Sequence, residues 1–155
     1  FTGMLPNAIG DMAVLGQFDL SENQFSGGLP SSIGNLSTVA SMNLSANQFS
    51  GPIPSTIGSM SSLVILVLSQ NQLSGPIPTS IANLQNLQSL VLDQNRFSGS
   101  IPLSFADLPM LSALILNNNE FEGNIPSELG SLSNLYVLDL SNNRLTGSVP
   151  NSKAA

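Results

Sequence analysis

The side chains that could do acid–base or metal chemistry in this chain are carboxylates, amides and hydroxyls. The sequence contains no histidine and no cysteine, which removes the commonest general base and the usual transition-metal ligands. The nine carboxylates are Asp11, Asp19, Glu22, Asp93, Asp107, Glu120, Glu122, Glu128 and Asp139. Paired carboxylates that hydrolyse glycosides lie about 5 to 9.5 Å apart, so the spacing of these residues decides whether such chemistry is open to them.

The densest group of oxygen ligands is the segment NNNEFEGN at residues 117–124. Carboxylate and amide oxygens suit hard cations such as calcium. The spacing differs from that of a calcium-binding loop, and Asn119 and Phe121 have structural positions in the repeat described next. We therefore predict no metal site and no cofactor.

The element that positions these residues is an unbroken repeat of 24 residues. Shifting the sequence by one repeat aligns an asparagine column, Asn23, Asn47, Asn71, Asn95, Asn119 and Asn143. The same shift aligns a glycine column from Gly3 to Gly147 and a proline column from Pro6 to Pro150. A constant period in this range is typical of a solenoid, in which each coil buries its apolar face against its neighbours.

Two sets of apolar residues predict the elements of each coil. One set alternates with period two, as in Leu66 and Leu68, and predicts a short strand with one buried face. The other set has a spacing of three, as in Leu36 and Val39, and predicts a short helical or 3₁₀ turn on the opposite wall. Stacked coils of this kind would place the strands in a parallel sheet.

The asparagine column follows the predicted strands and is interpreted as structural. An asparagine amide offers donors and an acceptor that can satisfy backbone groups where the chain turns out of a sheet. A stacked core column is predicted from Phe1, Phe25, Phe49, Leu73, Phe97, Phe121 and Leu145.

The repeat also separates the carboxylates. Asp19 and Asp139 share a column but lie five coils apart, roughly 24 Å at a strand spacing of about 4.8 Å. Asp19 and Glu22 could approach each other on one coil and are interpreted as solvated carboxylates. We therefore predict that the protein is not an enzyme.

The repeat unit resembles that of a known family. The segments LSENQFSGGLPSSIGNL, LSANQFSGPIPSTIGSM and LSNNRLTGSVP are similar to the plant-specific class of leucine-rich repeat. The resemblance implies an α/β solenoid, a right-handed superhelix with a parallel β-sheet on the concave face and short helical or 3₁₀ turns on the convex face. It covers residues 1–155 as one domain, with a partial coil at 1–10 followed by about six coils. Because the family usually closes its ends with cysteine-paired caps, we expect a fragment of a longer chain, or ends that a partner covers.

Composition excludes several classes of partner. Charged residues make up 8% of the chain, the net charge is −6, and Arg96, Arg144 and Lys153 are its cations. Nucleic-acid binding, which needs clustered Lys and Arg, is not expected. The longest strongly apolar run, residues 63–68, falls far short of the roughly 20 residues that a membrane helix requires, so no membrane segment is predicted.

Alternation along the strands predicts which side chains face outward on the concave surface. The middle outward column reads Asp19, Asn43, Val67, Val91, Ile115 and Asp139. The predicted partner-binding residues are Ile65, Val67, Val91, Asp93, Ile115, Asn117, Val137 and Asp139. An exposed apolar patch with a polar rim is a candidate interface. The alternative, left open by the sequence, is that Val and Ile are present because they favour strands.

The family resemblance implies a non-catalytic module that binds a protein or peptide ligand, with a co-receptor or a larger complex as a further partner. Such ectodomains belong to receptor-like kinases and receptor-like proteins, which implies an extracellular or cell-surface location and a role in signalling. Two alternatives are a secreted enzyme inhibitor resembling the polygalacturonase-inhibiting proteins, and a scaffold or accessory subunit, including an ice-binding surface. Two sequons make Asn35 and Asn43 candidate glycosylation sites.

Overall fold

The computed structural model of the protein describes residues 1–148, and Pro150 of the proline column lies outside them. Strands and 3₁₀ turns alternate along the chain and are labelled β and η in chain order. They are β1 (Thr2–Met4), η1 (Asn7–Asp11), β2 (Gln17–Asp19), β3 (Gln24–Gly27), η2 (Ser31–Asn35), β4 (Ser41–Asn43), β5 (Gln48–Gly51), η3 (Ser55–Ser59), β6 (Ile65–Val67), β7 (Gln72–Gly75), η4 (Thr79–Asn83), β8 (Ser89–Val91), β9 (Arg96–Gly99), η5 (Leu103–Asp107), β10 (Ala113–Ile115), β11 (Glu120–Asn124), η6 (Ser127–Ser131), β12 (Val137–Asp139) and β13 (Arg144–Thr146).

The predicted parallel sheet is confirmed as a six-stranded sheet in the order β2-β4-β6-β8-β10-β12. Its strands pair with a step of one repeat, so Leu66 lies between Met42 and Leu90. These three side chains are fully buried. Because neighbours along a strand point to opposite faces, the sheet has an apolar inner face and an outer face that carries the predicted partner-binding residues.

A second parallel sheet is present that the alternation pattern does not predict. It contains seven strands in the order β1-β3-β5-β7-β9-β11-β13, built from segments of the Gln-Phe-Ser-Gly type. The apolar residue of this column is buried in the central strands, as at Phe49, Leu73 and Phe97. Three neighbouring pairs of rings in the predicted column stack, and the rings of Phe25 and Phe49 are centred 6.1 Å apart. Each segment bends out of the sheet near a glycine with positive φ, which is 75° at Gly51 and which glycine adopts without strain.

The 3₁₀ turns lie earlier in the repeat than the spacing-three residues that predict them. The turn η2 begins directly after Pro30 and ends before Leu36. Beyond it the Leu36 N–H donates to the Ile33 carbonyl, and the Val39 N–H donates to the Leu36 carbonyl, both at 3.2 Å. The apolar residues at every third position therefore lie along a continuous line of tight turns that closes the third side of the core.

The core runs along the solenoid between the two sheets and the line of turns. Burial is complete in the central coils and falls towards both ends of the chain, where Phe1 is 89% exposed and Leu138 is 45% exposed. Within residues 1–148, no helix has the length and apolar character needed to cross a membrane.

Candidate functional site

The outer face of the six-stranded sheet brings the predicted β-branched residues together. In the pairing of β6, β8 and β10, Val67 is the direct partner of Val91, and Val91 is the direct partner of Ile115. All three side chains are half-buried. With strands about 4.8 Å apart, they form a row of roughly 10 Å across three coils.

A second row lies beside the first and widens it. Here Ile65 pairs with Ser89, Ser89 with Ala113, and Ala113 with Val137. Ile65 is 39% exposed, more than expected for an isoleucine in the middle of a sheet. We call the two rows together the apolar strip; its members are Ile65, Val67, Val91, Ala113, Ile115 and Val137.

Polar residues continue the first row at both ends of the apolar strip. Asn43 pairs with Val67 on one side, and Asp139 pairs with Ile115 on the other. Asp19 lies one strand beyond Asn43, whose amide nitrogen is 3.5 Å from the Asp19 carboxylate. The apolar surface is therefore bounded along the solenoid by a carboxylate in each direction.

These bounding residues are held by local hydrogen bonds to a serine two positions later. The Ser21 hydroxyl and backbone N–H donate to the Asp19 carboxylate at 2.7 and 2.8 Å. These two bonds hold the pKa of Asp19 below its ordinary value. The Ser141 hydroxyl, followed by its N–H, lowers the pKa of Asp139 in the same way. Both carboxylates therefore stay ionised well below neutral pH.

The predicted rim residues Asp93 and Asn117 lie one column further along the strands. Both are half-buried. The Asp93 carboxylate accepts a 3.0 Å hydrogen bond from the Gln94 amide. The neighbouring member of this column, Ser69, is buried. The rim on this side is therefore polar, and it carries the Asp93 charge close to the apolar strip.

The carboxylates of residues 1–148 are distributed along the solenoid. Asp19 and Asp139 lie at opposite edges of the six-stranded sheet, as the repeat predicts. In residues 117–124, the Asn119 side-chain amide donates a hydrogen bond to the Leu92 backbone carbonyl, and Glu120 forms a 3.0 Å ion pair with Arg144. Across residues 1–148, no three Asp or Glu side chains lie close enough together to hold a metal ion.

One exposed aromatic residue at this surface is missing from the predicted set. Tyr136 is 79% exposed and directly precedes Val137. Its backbone N–H donates to the Ser112 carbonyl, so it belongs to the row of residues that directly precede the strands of the sheet. Inspecting the column one residue before each strand, and not only the alternating positions within it, would have found this residue.

The two arginines of the described chain lie away from this surface. Arg96 is in β9 and Arg144 is in β13, both on the seven-stranded sheet. The outer face of the six-stranded sheet, as described for residues 1–148, therefore combines apolar side chains with negative and neutral polar groups.

The two candidate glycosylation residues have different surroundings. Asn35 ends η2 and is exposed on the line of turns. Asn43 is half-buried on the six-stranded sheet, where its carbonyl oxygen accepts hydrogen bonds from the Ser45 hydroxyl and backbone N–H. A glycan at Asn43 would cover the end of the apolar strip, whereas one at Asn35 would leave it open.

Sequence comparison decides the family. Profiles described as leucine rich repeat match residues 37–97 and 61–121, and others match residues 15–36 and 134–152. The chain belongs to the leucine-rich repeat family. No curated protein sequence matches this leucine-rich repeat chain significantly.

Solved structures of plant receptors are similar to the leucine-rich repeat chain over nearly its whole length. The plant peptide hormone receptor RGFR1, in complex with RGF2, has 38% identity and a TM-score of 0.94, covering 96% of this chain and 24% of the receptor chain. The Arabidopsis receptor kinase HAESA, in complex with the peptide hormone IDA and the co-receptor SERK1, has 42% identity and a TM-score of 0.94, covering 97% of this chain and 25% of HAESA. The chain thus spans about a quarter of the length of these receptors.

A plant ice-binding protein has the same fold at lower identity. It is 24% identical with a TM-score of 0.66, and the match covers 97% of this chain and 71% of that protein. At this identity the likeness concerns the fold alone.

Proposed function

We propose that this leucine-rich repeat chain is a non-catalytic module that binds a peptide, or an extended segment of a protein, across the outer face of its six-stranded sheet. The observation that carries the proposal is the direct pairing of Val67, Val91 and Ile115 on neighbouring strands. Strand preference explains each residue separately, but Asp19, Asn43 and Asp139 show that the same column accepts polar residues. The apolar row of Val67, Val91 and Ile115 is therefore a feature of three coils and not a requirement of the fold.

The energetics suit a partner of moderate size. Covering one half-exposed Val or Ile side chain contributes roughly 1 kcal/mol, so the three central residues would contribute about 3 kcal/mol. Tyr136 adds a large exposed ring beside Val137, and such rings often anchor interfaces. Asp19 and Asp139 at the two ends favour a partner whose apolar centre is flanked by neutral or positive groups.

We also infer that the module lies outside the cell or at its surface, as part of a receptor-like ectodomain. This inference is supported by 38% and 42% identity to RGFR1 and HAESA, which were solved in complex with peptide hormones. A co-receptor or a larger complex is a further partner on this view, and signalling is the role that follows from it.

A displayed library of random peptides tests the proposed surface. Peptides would be selected on the wild-type chain and measured on a triple variant, Val67→Asn, Val91→Asn and Ile115→Asn, which copies the residue that Asn43 already places in this column. We expect binding to weaken by about 100-fold, since about 3 kcal/mol of apolar contact is lost.

The matched control is Val14→Asn, the same change at a residue that is 94% exposed in a turn outside the apolar strip. It should leave peptide binding unchanged, and all variants should keep the wild-type circular dichroism spectrum. Selected peptides that bind the triple variant as tightly as the wild type would show that the apolar strip is not the binding surface.

A further inference from the structure

A second candidate surface lies on the line of 3₁₀ turns, where successive turns stack closely in the first coils. A Cβ atom added to Gly34 would collide with the Thr56 carbonyl oxygen and approach the Thr56 Cβ to 2.7 Å. At Gly58 the same atom would collide with the Ser80 carbonyl oxygen. The turns η2, η3 and η4 therefore touch backbone to backbone, which only glycine at these positions permits.

Gly34 and Gly58 occupy the same position of the repeat, and in the next two coils that position holds Ala82 and Ala106. The real Cβ of Ala82 has to be accommodated where Gly34 and Gly58 leave no room for one, so the following turn must stand further away. Consistent with this, η5 packs less closely against η4 and η6 than the earlier turns pack against one another. Ala82 and Ala106 therefore hold the turns η4, η5 and η6 apart and leave a gap on the line of turns.

Hydrogen bonding between the turns changes at the same place. The Thr56 hydroxyl donates to the Ser31 carbonyl, and the Ser80 hydroxyl donates to the Ser55 carbonyl, both at 2.6 Å. The equivalent Ser104 hydroxyl is buried and has no partner. Ser32 in an early coil also has no partner among residues 1–148, so the missing bond at Ser104 accompanies the two alanines but does not by itself define the gap.

The gap is lined by an unusual apolar residue. Leu103 is 62% exposed in a column that otherwise holds Ser31, Ser55, Thr79 and Ser127 in the coils around it. It borders a depression of about 630 Å³ and an adjoining one of about 490 Å³. We call this surface the Leu103 groove; its defining residues are Ile101, Pro102, Leu103, Ser104, Asp107 and Glu128.

The charge of the groove indicates what it would accept. Asp107 and Glu128 are exposed at its edge, and among residues 1–148 no Lys or Arg lines either depression. An apolar side chain against Leu103 and a cation between the two carboxylates would complement the groove. A purely apolar occupant would leave the carboxylates unused, and an acidic one would be repelled.

We propose that the Leu103 groove binds an extended segment of a partner protein in which an aliphatic side chain stands next to a lysine or arginine. This surface is separate from the apolar strip, so the chain can contact two partners, or two parts of one partner, at the same time.

Four blocked heptapeptides of serine and glycine test this proposal, with Leu-Lys, Leu-Glu, Ser-Lys or Ser-Glu at the centre. Each is titrated into the isotope-labelled chain and followed by amide chemical shifts. We expect the Leu-Lys peptide to shift the amides of Leu103, Ser104 and Asp107, and the Ser-Lys peptide to bind about tenfold more weakly. Replacing lysine by glutamate should weaken binding at least about threefold, and added salt should reduce this difference.

Two variants and one control distinguish binding in the groove from nonspecific apolar binding. Leu103→Ser restores the residue type of its column and should weaken Leu-Lys binding about tenfold. Ala82→Gly restores the close stacking of η4 and η5 without touching Leu103, and should weaken binding by narrowing the groove. Met110→Ser changes another apolar residue, which is 45% exposed in the turn after η5 and does not line the groove, and should have no effect.

The proposal is overturned if the four peptides produce the same shifts, or if Leu103→Ser and Met110→Ser bind the Leu-Lys peptide equally well. Wild-type affinity in Ala82→Gly would equally overturn it, because the alanine would then not form the groove.

Discussion

The side chain of Asn95 donates a 2.9 Å hydrogen bond to the backbone carbonyl of Leu68, in the preceding coil. Its carbonyl oxygen also accepts a 3.0 Å bond from the Leu73 N–H of that coil. Asn95 is 9% exposed, so these bonds are made in a nearly dry environment. The asparagine column therefore joins adjacent coils as well as shaping the turn within each coil.

Replacing Asn95 with alanine should lower the free energy of unfolding by about 2–3 kcal/mol, because the buried Leu73 N–H loses its acceptor. Asn23→Ala is the matched control in the same column. The Asn23 side-chain oxygen accepts from the Phe1 nitrogen at an exposed position, so the cost should stay below about 1 kcal/mol. Urea unfolding measures both, and equal losses would mean that burial of the asparagine is not what matters.

Much of this arrangement could be predicted from the sequence, because it follows from period and alternation. The direct pairing of Val67 and Val91 follows once the strand and the repeat length are known. The structural role of Asn95 follows from its place directly after a strand. These features depend only on the repeat period and on the alternation of residues along each strand, which all coils share.

The features that could not be predicted depend on how neighbouring backbones approach each other. Strands such as Gln48–Gly51 carry one aromatic residue among small polar ones, so they show no alternation that would predict a second sheet. The effect of Ala82 depends on how closely the next turn approaches, which the sequence does not contain. Leu103 was therefore not recognisable as part of a groove.

The glycine column on the line of turns can be tested directly. Gly34→Ala should destabilise the chain by about 1–3 kcal/mol, because the new Cβ collides with the backbone of Thr56. Gly130→Ala is the control, since within residues 1–148 no atom of a neighbouring turn lies within 4 Å of its added Cβ. That change should be neutral or slightly stabilising in a thermal unfolding experiment, and equal melting temperatures for the two variants would contradict the proposed stacking.

A residue with a left-handed backbone precedes each asparagine of the column. Ala46 has φ 52° there, a conformation that costs alanine about 1 kcal/mol, whereas asparagine tolerates it better. Asn118 and Asn142 already occupy equivalent positions with φ of 55° and 54°. Ala46→Asn should therefore stabilise the chain by about 0.5 kcal/mol, and the β-branched Ala46→Val should destabilise it by at least about 1 kcal/mol. Chemical unfolding midpoints that move in the same direction for both would contradict this account.

The hydrogen bonds at the two ends of the apolar strip make stability depend on acid pH. The pKa of Asp19 is lowered in the folded chain, first by the Ser21 hydroxyl and then by its N–H, and the Ser141 groups lower the pKa of Asp139. Their contribution to stability is therefore present above the unfolded aspartate pKa, near 4, and is lost as the pH falls through the lower folded pKa. Ser21→Ala should raise the pKa of Asp19 and leave that of Asp139 unchanged, while Ser141→Ala should do the reverse. Carboxyl-carbon NMR titration distinguishes these outcomes, because a general effect of net charge would move both aspartates together in either variant.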